Sequence, residues 1–234
     1  MRRWLVPRRR RGLEILDDPA TAPHVVRRSL ADVARANALF GGRSAVCREV
    51  AQIFAGAAGT SLTLLDIGTG CGDVPAAVRA LARTAGVGLR TFALEASHAL
   101  AVSSRSPELP VVRGTALALP FRDRSVDIVI CSQLLHHFED GAASTLLREM
   151  DRVARKAVVV SDLRRSWLAA AGIWLASWPL RFHPVSRHDG VVSVLRGYTV
   201  PELSTLVERA TGRHATTRTR AGFRIATAWS PTEV

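Results

Sequence analysis

Residues 64–75 read Leu64-Leu65-Asp66-Ile67-Gly68-Thr69-Gly70-Cys71-Gly72-Asp73-Val74-Pro75, and their spacing decides the fold. The apolar run Leu62, Leu64, Leu65 and Ile67 predicts a buried strand. It ends in glycines at alternate positions, 68, 70 and 72, and a helix-forming segment rich in Ala and Val follows from about Asp73. Strand, glycine turn and helix let a backbone approach a nucleotide-like ligand, because glycine has no Cβ and accepts positive φ. The dinucleotide fingerprint Gly-x-Gly-x-x-Gly does not fit. Asp73 stands where its third glycine belongs, and a carboxylate there opposes a pyrophosphate. A phosphate-binding P-loop is excluded as well, since no Gly-Lys-Ser/Thr follows the glycines.

Further along, Thr91-Phe92-Ala93-Leu94-Glu95 reads as a second strand closed by an acid, placed to accept hydrogen bonds from ribose hydroxyls. Val111–Phe121 carries Gly114-Thr115-Ala116-Leu117-Ala118-Leu119-Pro120-Phe121. A buried strand over Ser125–Ser132 follows, then Gln133-Leu134-Leu135-His136-His137-Phe138. In this order the motifs resemble the class I S-adenosylmethionine-dependent methyltransferases over about residues 40–165. The resemblance implies an α/β, Rossmann-like fold: a seven-stranded, mostly parallel sheet with an antiparallel last strand and helices on both faces. It also implies S-adenosylmethionine as cofactor, a ligand with an ammonium and a sulfonium and no phosphate, for which a nearby Asp is welcome. The residues implied to hold it are Asp66, Gly68, Thr69, Gly70, Gly72, Glu95, Ala96, Thr115, Ala116, Leu117 and Ser132. One departure stands out. The acid that usually follows the glycine and bonds the adenine amino group is Thr115 here, which leaves a hydroxyl and backbone groups for adenine.

The 234 residues suffice for one α/β domain with a small addition. The expected organisation is a basic, solvated tail over 1–12, an N-terminal helical cap over 13–60, and the methyltransferase domain over 61–234 with a helical insert at about 165–198. Cys47, Cys71 and Cys131 lie far apart, which argues for a reducing, cytoplasmic setting and against a cysteine metal site. No metal cluster is predicted. Net charge is +12, and Lys156 is the sole lysine. Six arginines fall within Met1–Gly12, a basic arm that suits nucleic acid or anionic lipid if it is not simply solvated. Leu5-Val6 is too short for a signal-peptide core.

Before the glycine loop, Ser29–Phe40 has helical spacing stopped by Gly41-Gly42, and Cys47–Phe54 resumes it. The resemblance implies that such helices cover the cofactor and shape the acceptor chamber; Arg43 is a candidate partner of the cofactor carboxylate. Trp167–Leu180 is apolar for fourteen residues, too short to span a bilayer, with Trp167, Trp174 and Trp178 on one helical face. It follows the strand Ala157–Ser161, so Trp174 and Trp178 are expected as an aromatic lid over a flat apolar substrate; a membrane-surface helix is the alternative. Thr199 with Glu202 forms a capping box for a helix to about Ala210, and His214–Ser230 predicts a hairpin turning near Ala221-Gly222.

Methyl transfer from a sulfonium is an in-line displacement, served by positioning and exclusion of water. A hydroxyl acceptor gains from a base, and His137 is the first candidate, also as a substrate ligand. His136, His183 and His188 stand behind it, the last with Asp189 as its neighbour. The expected substrate is a small phenolic or polyketide-like molecule methylated on oxygen, with carbon methylation of a quinone-type ring as the alternative. A nucleic-acid methyltransferase fits the charge but lacks the Asn/Asp-Pro-Pro-Tyr/Phe motif. An inactive cofactor-binding scaffold rests on Thr115 alone.

Overall fold

The computed structural model describes residues 6–18 and 20–231, without the side chains of 98, 99 and 103. Two N-terminal helices, α1 (Pro23–Leu39) and α2 (Gly42–Phe54), precede the sheet. Then β1 (Ser61–Ile67), α3 (Asp73–Thr84), β2 (Gly88–Glu95), α4 (His98–Ser104), β3 (Val111–Arg113) and β4 (Val126–Ser132) alternate. They lead to α5 (Asp140–Val153) and β5 (Ala154–Leu163), two inserted helices α6 (Trp167–Ser177) and α7 (Pro184–Arg196), and finally α8 (Val200–Thr211), β6 (Thr216–Arg220) and β7 (Arg224–Trp229). The sheet order is β3-β2-β1-β4-β5-β7-β6, with β7 antiparallel to both neighbours and the other pairings parallel. This is the sheet the motif series implies.

Period-two alternation on the central strands splits the core. Leu65 and Ile67 of β1, with Val129, Cys131, Val158 and Val160, pack against Leu146, Leu147 and Met150 of α5 and Leu203 of α8. Leu62 and Leu64, with Ile128, Ile130 and Val159, meet Val46, Val50 and Phe54 of α2 and Val74 and Val78 of α3. The buried Glu49 on α2 pairs with Arg220 of β6, tying the cap to the sheet edge. The capping box at Thr199 and Glu202 is present.

The arm corrects one expectation. Met1–Leu5 lies outside the described residues; beyond it Pro7 is buried and Arg9 half-buried against the domain, while Arg8, Arg10, Arg11 and Gly12 stay exposed. The buried Arg165 guanidinium donates to the Pro7 carbonyl (2.8 Å), the Gly197 carbonyl (2.7 Å) and Glu202 (2.6 Å). Arg9 donates to the Arg196 carbonyl at 2.7 Å, pairs with Asp140 at 2.8 Å, and lies 4.0 Å over the Tyr198 ring. These arginines find fixed carbonyls, an acid and an aromatic face, which together replace the hydration a free tail would keep. The arm leads into a short 3-10 turn, Ile15–Asp17, whose Ile15 and Leu16 amides donate to Asp189 of α7.

Candidate active site

The loop after β1 sits where the strand order reverses, beside β4, at the carboxyl ends of the strands. A cavity of about 680 Å³ opens there, within the range of small-molecule sites, about 300–1,000 Å³. One end is polar and built on the glycine loop: Asp66, Gly68, Thr69, Gly70, Asp73, Glu95 and Ser132 line it. Gly68 (φ 71°) and Gly70 (φ 55°) both lie in the left-handed region. A Cβ on Gly68 would stand 2.7 Å from Leu134, whereas at Gly70 nothing comes nearer than 4.0 Å, leaving room for a ligand against the backbone. Glu95 receives the Gly70 amide (3.3 Å) on one oxygen and the Ser97 amide (3.1 Å) on the other. Asp66 and Ser132 each keep a buried oxygen with no partner among the described residues. Burial, reinforced by the nearby Asp73 and Glu95, pushes the Asp66 carboxyl up to about 7. Three carboxylates and orphaned buried oxygens around a glycine loop fit a cationic, hydrogen-bonding ligand, as S-adenosylmethionine is.

The predicted cofactor set divides here. Asp66, Gly68, Thr69, Gly70, Glu95 and Ser132 meet in the cavity, while Gly72, Ala96, Thr115, Ala116 and Leu117 do not line it. Gly72 instead turns into α3 against Leu109, and the Thr115 hydroxyl accepts the Leu117 amide at 3.2 Å. Arg43, the candidate for the cofactor carboxylate, donates to Asp73 at 2.9 Å. Asn37 of α1 and Gln133, a non-glycine residue at φ 54°, bond across the cavity wall; periodicity carried no sign of that pair.

The same cavity is also lined by the histidines. His136 and His137 occupy a 3-10 turn after β4, their rings 4.4 Å apart. Asp162, fully buried at the end of β5, accepts from the His136 amide at 2.9 Å and stands 2.6 Å from His136 Nδ1. His136 Nε2 is buried with no hydrogen-bond partner among the described residues, and Glu14 lies 3.7 Å away. Burial opposes a charge on His136, but Asp162 and Glu14 outweigh it and hold the imidazole up to about 9. His137 Nδ1 lies 3.1 Å from Asp17, and its Nε2 lies 3.8 Å from Glu14.

Glu14, His136 and His137 thus have the mutual spacing of a metal-ligand set, which the 122-residue separation hid from the sequence reading. Their electrostatics read differently. Glu14 Oε1 already accepts from Arg196 (2.9 Å) and from Ser193 (2.8 Å), and Arg196 also pairs with Asp17 at 3.0 Å. Arg196 and the raised His136 supply the cations that the acids need. Despite their burial, Glu14 and Asp17 are held down to about 2, Glu14 by His136 and His137 and Asp17 by His137, with Arg196 assisting both.

Three further expectations change. Trp174 and Trp178 do not line the cavity: that face of α6 points outward, and Ala169, Gly172 and Ile173 form the wall instead. His188 pairs with Asp189 at 2.8 Å but is half exposed and outside the lining; Asp189 is the residue that enters it. His183 caps α7 through the Val185 amide. An all-apolar helix offers no periodicity to say which face is inward, so the tryptophans could not be placed from their spacing.

The chain is similar to known methyltransferases in sequence and in fold. Residues 65–160 match the family model described as a methyltransferase domain. No curated protein matches by sequence. Among solved structures, a SAM-dependent methyltransferase from Aquifex aeolicus aligns with TM-score 0.61 at 17% identity, over 90% of this chain and 99% of its own. An O-methyltransferase of neocarzinostatin biosynthesis, in complex with S-adenosylhomocysteine and 1,4-dihydroxy-2-naphthoic acid, aligns with TM-score 0.64 at 16% identity, over 93% and 61%. A magnesium protoporphyrin IX methyltransferase from Synechocystis with bound S-adenosylhomocysteine gives TM-score 0.55 at 15% identity, over 82% and 84%. At these identities the structures establish the fold. Residues 65–160 thus match a methyltransferase domain, and the chain has the fold of the S-adenosylmethionine-dependent methyltransferases to which it is similar.

Proposed function

We propose that this protein is an S-adenosylmethionine-dependent methyltransferase that methylates a hydroxyl of a small aromatic or polyketide-like acceptor. The observation that carries the reading is a largely apolar cavity lined both by the glycine loop with its carboxylates and by His136 and His137, each beside a carboxylate. The neighbour holding 1,4-dihydroxy-2-naphthoic acid supports an aromatic alcohol in such a chamber.

Bound S-adenosylmethionine supplies an electrophilic methyl on a sulfonium. Asp66, Glu95 and the Gly68–Gly70 backbone hold and orient it. A phenol ionises near pH 10, so at neutral pH its oxygen gains from losing the proton as the methyl arrives. His136, kept charged between Asp162 and Glu14, is a donor rather than a base; its free Nε2–H stabilises charge growing on the acceptor oxygen. His137 takes the proton. With Nδ1–H donated to Asp17, Nε2 keeps its lone pair for the acceptor. Leu16, Phe182 and Ile173 on the walls keep water from the reacting atoms.

The test is a panel of phenols, naphthols and quinols with labelled S-adenosylmethionine, the methylated atom being read by NMR. An O-methyl product is expected, with His137→Ala lowering kcat by about 10²–10⁴ while cofactor affinity stays. A ring C-methyl product, or full turnover by the variant, overturns the assignment. No transfer to any acceptor by protein that binds S-adenosylhomocysteine favours the scaffold.

A further inference from the structure

Helix α6 carries no charged residue, and only one of its faces is used inside the protein. Ala169 and Ala170 pack with Val194 and Leu195 of α7, and Ile173 closes the cavity. Positions 167, 168, 171, 174, 175 and 178 fall within one arc of about 120° at 100° per residue. That arc is Trp, Leu, Ala, Trp, Leu, Trp. The large side chains are exposed by 41% (Trp167), 54% (Leu168), 47% (Trp174), 61% (Leu175) and 56% (Trp178). Scattered exposed leucines need no explanation, but a contiguous face with three tryptophans does.

The rim says what covers it. Between Asp162 and Asp189 the chain has no carboxylate and, besides the buried Arg165, three arginines, at 164, 181 and 187. Arg187 sits 3.7 Å over the Trp178 ring, and Arg10 of the arm lies 5.2 Å from Trp167. Arg28 and Arg35 reach the same end of α6 by donating to the Arg181 and Leu180 carbonyls. An apolar strip with tryptophans, edged by guanidinium groups and free of acids on its own segment, matches the boundary between anionic headgroups and acyl chains. A protein partner would need an apolar groove with an acidic rim; a bilayer offers both features without further design. No helix among the described residues is long and apolar enough to cross a membrane, so contact is at the surface.

We infer that the outward face of α6, with its arginine rim, docks this enzyme on an anionic lipid surface. The inner face of the same helix walls the cavity at Ala169, Gly172 and Ile173, so docking sets that wall against the bilayer. The acceptor class narrows accordingly to amphiphilic, membrane-partitioned phenols; this corollary rests on the acceptor reading above, while the docking itself does not.

The experiment is cosedimentation of the full chain with phosphatidylcholine vesicles, with and without phosphatidylglycerol, across a salt series. Binding is expected on the anionic vesicles, weakening with salt. It should fall at least about tenfold in the Trp174→Ser/Trp178→Ser double variant, and Arg28→Gln/Arg181→Gln should abolish the preference for phosphatidylglycerol. S-adenosylhomocysteine affinity, measured on the same preparations, reports folding and should stay unchanged. Protein that remains in the supernatant at low salt overturns the inference, as does a double variant that pellets like the wild type. A concentration-dependent dimer that dissolves in the tryptophan variants also overturns it, by showing that a second copy covers the face. Vesicle binding is scored without any methyl acceptor, so failure of the acceptor reading leaves this result standing.

Discussion

Alanine at Gly70 separates ligand binding from folding, and alanine at Gly68 in the same loop does the reverse. Both residues are left-handed, at φ 55° and 71°, and an L-residue there costs about 1–2 kcal/mol. At Gly68 the new Cβ also meets Leu134 at 2.7 Å, and relieving such a contact adds about 1–3 kcal/mol. The expected loss of stability for Gly68→Ala is therefore about 2–5 kcal/mol. At Gly70 the nearest atom is 4.0 Å away, so Gly70→Ala should lose only the backbone cost of about 1–2 kcal/mol. Its methyl enters the space where a ligand must pass close to the loop, and a misfit of about 1–3 kcal/mol there weakens affinity about fivefold to 150-fold. Urea unfolding measures the first quantity and calorimetric titration with S-adenosylhomocysteine the second. Wild-type affinity in Gly70→Ala would refute the placement of the cofactor against this backbone. Equal stability losses in the two variants would refute the distinction drawn from the Leu134 contact.

Three further outcomes follow from the histidines and the arm. Because His136 is raised from 6.5 to about 9, it contributes stability fully below pH 6.5 and loses it as pH rises through 9. Asp162→Asn should flatten that alkaline limb in a stability–pH series, and an unchanged limb would show that Asp162 does not hold the charge. Glu14, lowered from 4.5 to about 2, works in the opposite sense: its contribution is present above 4.5 and fades as pH falls towards 2, a limb that Glu14→Gln should remove. Arg165→Met strips the partners from the Pro7 and Gly197 carbonyls and from Glu202. With Glu202 half exposed, the loss should be about 1–3 kcal/mol, accompanied by faster tryptic cleavage at Arg8–Arg11. Unchanged cleavage would show that the arm is held by other contacts.

What the chain determines locally was readable in it. Alternating glycines after an apolar run, an acid closing the next strand, and helical periods stopped at Gly41-Gly42 or started at Thr199 each act over a few residues, where sterics and hydrogen bonding leave few choices. These sufficed for the sheet, for its antiparallel end and for the half of the cavity that contains Asp66, Gly68, Gly70 and Glu95. The other half depended on tertiary contacts. Glu14 and Asp17 meet His136 and His137 because Asp189 holds the Ile15–Asp17 turn, Arg196 and Ser193 hold its acids, and Arg165 holds the arm. No short-range pattern encodes a pairing across more than a hundred residues. The orientation of α6 was also a tertiary decision. A helix apolar on every side has no intrinsic inward face, so packing by the small residues Ala169 and Ala170 against α7 turned the tryptophans outward.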